Sequence, residues 1–305
     1  MGMIRSATPE TTARSRRRPF RSEKAAAAGI GLFLIVFALA CLFPFWLMVI
    51  NSFAVAKSLA LHGYAVFPSG FTLQSYRFLL QGKQLFLSYG VTASATVLGT
   101  AAGLAVTALF AYVLAHPKNR YGGFLSFMTY VPMIFGSGLV GFYLLVVRWL
   151  HLKDTLWALV LPYVMNPFYA FIFVSFYRSL PYELNESATV DGANEWVVFF
   201  KIIRPISTPV IATIGLFYAL QYWNDWWLSL LFIDNSDLYP LQLLLRQLMS
   251  QMDLASLNHG NVLTLPPSEG VKLATVCLTI GPIIFVYPFI QKYFVKGLTL
   301  GSVKG

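Results

Sequence analysis

The chain has 305 residues, of which 57% are hydrophobic and only 11% are charged. Soluble domains carry about 25% charged residues, so this composition excludes a water-exposed globule and indicates an all-α integral membrane protein. The formal net charge of +10 would suit nucleic-acid binding in a soluble protein. Because the basic residues flank apolar segments, we assign them to orientation in a bilayer and expect no nucleic-acid partner.

The first 28 residues form a basic N-terminal arm, which is followed by a long apolar segment. This order is also typical of a secretory signal peptide. The apolar segment is longer than the core of a signal peptide, however, and no A-x-A cleavage site follows it. The sequence therefore predicts an uncleaved first span with the N-terminus in the cytoplasm.

Six segments are apolar and long enough to cross a membrane, for which a helix needs about 20 residues. They lie near residues 29–51, 86–115, 123–147, 156–177, 206–233 and 272–291. Residues 29–305 are thus predicted to form one six-span domain. With both termini in the cytoplasm, the cytoplasmic segments carry 15 Lys and Arg residues and the outer segments, counted to include Lys272 at the start of the sixth span, carry 7, in agreement with the positive-inside rule.

The second predicted span carries a stripe of small residues that recur at every fourth position. They are Ala95, Gly99, Gly103, Thr107 and Ala111. Such a stripe lets a neighbouring helix approach closely and therefore predicts a packed helix pair, without indicating a function.

Two predicted outer loops, residues 52–85 and 234–271, are longer than a connection between helices requires. The first contains apolar residues spaced as in a short helix, so some order is expected there.

Neither cysteine, Cys41 or Cys277, lies where disulfide or metal chemistry is expected. The isolated histidines lack a second ligand at suitable spacing, so no metal site is predicted.

Residues 181–205 are acidic and amphipathic, although they lie between two apolar spans. Pro181 suits the first turn of a helix, Gly192 interrupts the pattern, and Asn194 is a suitable N-cap for a second helix. In that second helix the apolar residues repeat at i, i+3, i+4 and i+7: Trp196, Phe199, Phe200 and Ile203. Pro205 is predicted to end it. Two interpretations remain open, a docking site for a partner protein and an amphipathic loop on the membrane surface.

The fifth predicted span is rich in aromatic and amide side chains. Tyr218, Gln221, Tyr222 and Asp225 are predicted to share one helical stripe, with Trp223, Asn224, Trp226 and Trp227 on the same turns. Aromatic faces beside polar groups suit the C–H faces and hydroxyl edges of sugars. An aromatic belt at the outer interface explains the same pattern, and the position of these residues along the helix favours it.

The stretch "ESATVDGANEWVVFFKIIRP", residues 186–205, resembles the EAA motif of bacterial ABC importer permeases. The matching residues are Glu186, Ser187, Ala188, Asp191, Gly192, Ala193 and Pro205. The chain departs from the family pattern at Ser187, where alanine is usual, and at Arg204, where leucine is common. "FTLQSYRFLL" and "YWNDWWLSLLF" are similar to segments of the second membrane subunit of maltose-type importers. The ending "QKYFVKGLTLGSVKG" is similar to the tails of alginate and pectin oligosaccharide importers.

The resemblance implies the type I ABC importer fold, with six transmembrane helices and a cytoplasmic coupling helix. It implies a permease in the bacterial inner membrane that pairs with a homologous permease, with two ATPase subunits and with an extracytoplasmic solute-binding protein. The matching residues would couple this chain to the ATPases, and residues 181–205 are hereafter called the coupling segment. The resemblance also implies a carbohydrate substrate that contacts Tyr218, Gln221, Tyr222, Trp223, Asn224 and Trp227.

No phosphate-binding loop of the form G-x-x-x-x-G-K-[ST] occurs in the chain. We therefore expect no enzymatic activity and no bound cofactor in this subunit, with ATP and Mg held by the ATPase partners. The main alternative is a secondary transporter driven by an ion gradient. Asp225 is the only credible acidic residue within a predicted span and no internal repeat is evident, which disfavours that alternative. A membrane-embedded enzyme ranks last, since nothing resembles a catalytic pair.

Overall fold

The computed structural model describes residues 21–136, 138–257, 269–282 and 284, and this part of the chain is predominantly helical. Its described residues divide into two units, one up to Met48 and the other from Val49 onward. Helix α1 spans Arg21–Ser52, and its apolar stretch Ala28–Ser52 is long enough to cross a membrane. The first predicted span is therefore a single helix.

The first predicted outer loop contains two short helices, α2 (Ala56–His62) and α3 (Gln74–Gln81). The Asn51 side chain fixes the start of the loop, because its amide donates to the Ala65 carbonyl oxygen at 2.8 Å and its carbonyl oxygen accepts from the Ala65 N–H at 3.1 Å. Helix α3 forms where the spacing of apolar residues predicts order.

Helix α4 (Lys83–Ala115) is the central element of the second unit, and it packs along two further helices, α8 (Pro167–Ser179) and α12 (Thr208–Trp223). All five members of the predicted small-residue stripe are buried on α4. The predicted packing face is thereby confirmed. Its partners are the aromatic side chains of α12.

Two tyrosines of α12 lie directly against glycines of α4. A Cβ atom added at Gly99 would lie 2.4 Å from the ring of Tyr222, and one added at Gly103 would lie 2.9 Å from the ring of Tyr218. Only glycine leaves room for these rings, since real Cβ contacts of this length do not occur. The two helices therefore meet at a distance that any side chain at these positions would prevent.

The fourth predicted span consists of α7 (Leu156–Val160), a 3-10 turn and α8, with a bend of 46° between its halves. Backbone groups at such a break need partners inside the protein when lipid surrounds it. The Tyr222 hydroxyl donates to the Val160 carbonyl oxygen at 2.9 Å, and the Tyr218 hydroxyl donates to the Val164 carbonyl oxygen at 3.2 Å. The same two tyrosines thus join α4, α12 and the broken span.

The third predicted span, residues 123–147, contains Pro132 and Gly138, which are typical of kinked helices, and it is not one continuous helix. It comprises α5 (Gly122–Ile134) and α6 (Leu139–Leu144), the latter continued by a π-helical turn, Leu145–Trp149. Gly138, at the start of α6, has a φ of +72°, a conformation that glycine adopts without strain. This conformation is incompatible with an uninterrupted helix.

The fifth predicted span, residues 206–233, is also interrupted. Helix α12 ends at Trp223, and a separate helix α13 (Trp227–Phe232) follows. Helix α14 (Leu241–Leu257) then orders much of the second outer loop. The sixth predicted span begins with helix α15, residues 269–282, and residues 285–291 lie outside the described part of the chain.

Within the described residues, two helices are long and apolar enough to cross a membrane on their own, and the number rises to five if each bent pair is one span.

Hydrogen bonds and an ion pair join the two loops that follow α6 and α13. The Asp154 carboxylate accepts the N–H groups of Asp234 and Asn235 at 2.6 and 2.9 Å, and Lys153 pairs with the Asp234 carboxylate at 2.6 Å. The two N–H donors, with a smaller contribution from the Lys153 charge, hold the pKa of Asp154 below its ordinary value.

The contact between α4 and α12 generates a test with a control in the same helix. Replacement of Gly99 by alanine forces a Cβ atom against Tyr222, so Gly99→Ala should destabilise the protein by about 1–3 kcal/mol. A Cβ atom at Gly90 meets no atom within 4 Å, so Gly90→Ala should leave stability unchanged or raise it by up to about 1 kcal/mol. Thermal unfolding in detergent measures both variants, and equal melting temperatures would contradict the close contact.

Candidate functional site

The coupling segment folds into two short helices that meet at Gly192. Two backbone hydrogen bonds close the end of helix α9 (Glu183–Val190). The Gly192 N–H donates to the Thr189 carbonyl oxygen at 3.0 Å, and the Ala193 N–H donates to the Ala188 carbonyl oxygen at 3.0 Å. These two bonds form a Schellman motif, which places a residue of positive φ after the helix. Gly192 has a φ of +82°, which confirms the predicted glycine turn.

Helix α10 (Glu195–Val198) begins with the predicted N-cap. The Asn194 side-chain oxygen accepts the Val197 N–H at 3.0 Å and so satisfies one of the free donors of the first turn. A π-helical turn, Phe199–Ile203, and helix α11 (Arg204–Ile206) continue the same helical run. The chain then bends by 82° between Ile206 and Thr208.

The prediction that Pro205 ends the second helix is wrong. Pro205 lies within α11, and the bend occurs after it at Ser207. Proline in an α-helix clashes with the carbonyl four residues earlier and removes a hydrogen bond there. The π-helical turn before Pro205 has the wider i to i+5 spacing, which accommodates both effects.

The motif residues of the coupling segment divide into an exposed tip and a buried anchor. Ala188 is buried in the core cluster that also contains residues of α4, α8 and α12, and Ala193 packs against the same cluster. The tip comprises exposed residues, namely Glu186, Ser187, Thr189, Val190, Asp191 and Gly192, and Pro205 is also exposed. Val190 stands out because it is apolar and 87% exposed.

Glu195 links the coupling segment to the end of α4. The Tyr112 hydroxyl donates to the Glu195 carboxylate at 2.6 Å, and the His116 imidazole lies 3.9 Å from the other carboxylate oxygen. The Tyr112 ring also packs against Phe199, with ring centroids 5.2 Å apart. Apolar burial and a short polar contact therefore hold the segment on α4 together. The sequence carries no signal for this link, because 83 residues separate Tyr112 from Glu195.

The six residues predicted to face a sugar lie in two different environments. Tyr218 and Tyr222 are buried against α4, and their hydroxyls are bonded to backbone carbonyls. Gln221 is half-buried, and its side-chain oxygen has no hydrogen-bond partner among the described residues. The two buried tyrosines therefore do not share a surface with Trp223, Asn224 and Trp227.

The other three predicted residues, Trp223, Asn224 and Trp227, lie at the end of α12 and the start of α13. The Trp223 indole is half-buried and donates its N–H to the Thr279 carbonyl oxygen at 3.2 Å. Asn224 is exposed, and Trp227 is 41% exposed. Asp225 lies in the break between the helices, so the expectation that it continues the stripe of Tyr218 is wrong.

Each carboxylate oxygen of Asp225 accepts a hydrogen bond from another residue of the protein. One oxygen accepts the Leu228 N–H at 3.2 Å, at the start of α13, and the other accepts the Tyr163 hydroxyl at 3.0 Å. A carboxylate at this position satisfies backbone donors of a new helix. Asp225 thus stabilises the start of α13 after the break.

Comparison with known proteins gives three concordant results. The model of the family described as "Binding-protein-dependent transport system inner membrane component" matches residues 103–300. The chain is 43% identical over 265 residues to Protein LplC of Bacillus subtilis, covering 86% of this chain and 89% of the relative. It is 38% identical over 278 residues to the polygalacturonan/rhamnogalacturonan transport system permease protein YtcP of the same organism, covering 90% and 96%.

A solved structure is similar over almost the whole chain. It is a chain of the crystal structure of a bacterial ABC transporter involved in the import of the acidic polysaccharide alginate. The TM-score is 0.80 with 26% sequence identity, and the match covers 91% of this chain and 100% of that chain.

The turn at Gly192 can be tested by two substitutions that differ only in their tolerance of positive φ. Space around Gly192 is open, so backbone conformation alone decides the result. Gly192→Asn should fold almost as the wild type, whereas Gly192→Val should destabilise the turn by about 1–2 kcal/mol. Hydrogen–deuterium exchange of peptides covering 188–198 should accelerate in the valine variant only. Equal exchange in all three proteins would show that the turn does not need glycine.

Proposed function

The chain belongs to the family of binding-protein-dependent transport system inner membrane components, and we propose that it is the six-span permease subunit of an ATP-driven oligosaccharide importer. As a membrane permease of the ABC transporter class it is not an enzyme. In the proposed mechanism its spans alternate between outward-open and inward-open arrangements. ATP and Mg bind to separate ATPase subunits, and both termini of this chain lie in the cytoplasm.

The geometry of the coupling segment is the observation that carries this proposal. Its tip is exposed around Gly192, while Ala188, Val198 and Phe199 are buried in the core cluster. An exposed knob on a buried anchor suits insertion into a groove of a partner protein. The alternative, a loop lying on the membrane surface, would bury its whole apolar face in lipid. In this structure Phe199 and Ile203 of that face are buried in the protein, whereas Trp196 and Phe200 are exposed.

The anchor provides a path from the tip to the spans. Phe199 packs on Tyr112 of α4, Glu195 accepts the Tyr112 hydroxyl, and the helical run continues to Ser207 at the start of α12. Packed interiors transmit displacement because they have few voids. We therefore assign Glu186, Ser187, Asp191 and Gly192 to contact with the ATPase, and Ala188 and Ala193 to attachment of the tip. Pro205 lies within the last turn of the anchor, before the bend at Ser207 that leads into α12.

The proposed assembly contains partners on both faces of the membrane. A second homologous permease completes the transport path, two ATPase subunits dock on the coupling segments, and an extracytoplasmic binding protein delivers substrate to the outer loops 52–85 and 234–271. The order within both loops, in α2, α3 and α14, supports a binding role for them, because ordered long loops in compact proteins are usually functional.

The proposed substrates are acidic oligosaccharides. The relative YtcP is named for polygalacturonan and rhamnogalacturonan, and the similar solved transporter is named for alginate. These polymers share uronic acid units. We assign substrate contact to Gln221, Trp223, Asn224 and Trp227, and we assign Tyr218 and Tyr222 to the support of these residues through their contact with α4.

The docking role of the tip predicts a selective effect of charge at Val190. Val190→Asp places an unpaired charge in the proposed interface, which costs several kcal/mol when it is buried. Co-purification of the ATPase with the tagged permease should fall at least about tenfold, while thermal stability stays unchanged because the side chain is 87% exposed.

Leu61→Asp is the matched control, since Leu61 is 69% exposed on α2 in the outer loop. It should retain the ATPase at the wild-type level. Retention of the ATPase by Val190→Asp, or equal loss in both variants, would contradict docking at the tip. Solute uptake by the purified chain without ATP would instead favour a gradient-driven transporter.

A further inference from the structure

Two successive turns of α14 lie against the break between α12 and α13. Gln242 donates its side-chain amide to the Asn224 side-chain oxygen at 3.3 Å. One turn later, the Arg246 guanidinium lies over the Trp226 ring, 4.0 Å from its centroid. This contact places a permanent positive charge beside the residues assigned to substrate contact.

The charge of Arg246 is available to a ligand. Its side chain is exposed, and the ion pairs among the described residues involve other cations. A guanidinium that stacks on an indole keeps the N–H donors at its edge free, and these donors match the two oxygens of a carboxylate. Stacking also restricts the long side chain, so less conformational entropy is lost when a ligand binds.

Neighbouring side chains suit the rest of a sugar ring. The Trp227 ring lies perpendicular to that of Trp226, with centroids 5.6 Å apart, and it is exposed. An exposed indole face packs well against sugar C–H groups. The exposed Asn224 amide donates one N–H to the Leu220 carbonyl oxygen at 2.8 Å and accepts from Gln242, which leaves its second N–H and one oxygen lone pair for sugar hydroxyl groups. The cluster therefore combines a cation, an apolar face and an amide, which together match a uronic acid unit.

We propose that Arg246, held on Trp226, is the residue of this subunit that selects acidic over neutral oligosaccharides by pairing with a uronate carboxylate. The inference rests on the proposed function and names the substrate group that this site recognises. It also supplies the positive charge that the apolar spans of the chain lack. The competing interpretation is that Arg246 only clamps α14 to Trp226 and has no effect on which sugar is carried.

The test compares trigalacturonate with its fully methyl-esterified form, two sugars that share one skeleton and differ in charge. Uptake is measured in liposomes that contain the complete transporter, with ATP inside and the binding protein outside. For each sugar, the rate of a variant is divided by the wild-type rate, so the preference of the binding protein cancels. The variants are Arg246→Gln, Arg246→Lys and the control Arg148→Gln, which removes an exposed charge from the π-helical turn that continues α6, outside the two loops assigned to the binding protein.

Arg246→Gln should raise the KM for trigalacturonate about tenfold, the expected effect of losing a hydrogen bond to a charged group. Its KM for the ester should change less than about twofold. Arg246→Lys should retain most of the uptake of the acid, because the charge remains, and Arg148→Gln should alter the uptake of neither sugar. High salt should raise the wild-type KM for the acid more than that of the Arg246→Gln protein.

Equal changes for both sugars in Arg246→Gln would support the clamp and overturn the proposal, as would no change for either sugar. If Arg246→Gln fails to assemble, the salt dependence of Arg246→Lys decides the question, since the charge remains. A KM that high salt raises for the acid but not for the ester supports the proposal, and an equal response of both sugars overturns it. Failure of the wild type to import any sugar with ATP would contradict the proposed function rather than the role of Arg246.

Discussion

The contact between α4 and α12 is the constraint on which the rest of the structure depends. Lipid is as apolar as a leucine side chain, so helices in a membrane associate through close packing and hydrogen bonds rather than through apolar burial. Gly99 and Gly103 allow the rings of Tyr222 and Tyr218 to lie against the α4 backbone. The hydroxyls of these tyrosines then satisfy carbonyls of the broken fourth span. One row of glycines thereby permits both the helix pair and the bend beside it.

This contact also explains how the two functional regions can communicate. The coupling segment is attached at the end of α4 through Tyr112 and Glu195, and its helical run leads into α12 at Ser207. The aromatic cluster at the other end of α12 adjoins the break at Asp225 and α14. A displacement of the tip would therefore act on the two helices that support the proposed substrate contacts. Burial of Tyr218 and Tyr222 suits the supporting role proposed for them.

Local patterns in the sequence predict the features that local forces determine. The small-residue stripe of α4, the turn at Gly192 and the cap at Asn194 were all predictable, because each depends on residues within one or two turns. Hydropathy could not predict the breaks near Gly138 and Asp225, since an apolar segment looks the same whether its helix is continuous or interrupted. The links of Glu195 to Tyr112 and of Arg246 to Trp226 join residues distant in sequence, and only the fold brings them together.

Cross-linking from the tip tests the central claim, that the coupling segment docks on the ATPase, most directly. A photoreactive maleimide is attached to Val190→Cys in the assembled transporter, with Cys41 and Cys277 replaced by serine so that no other cysteine of this chain reacts. The account predicts a covalent adduct with the ATPase subunit from this position, and none from Leu61→Cys in the outer loop. An adduct confined to lipid or to this chain, or equal adducts from both positions, would contradict it.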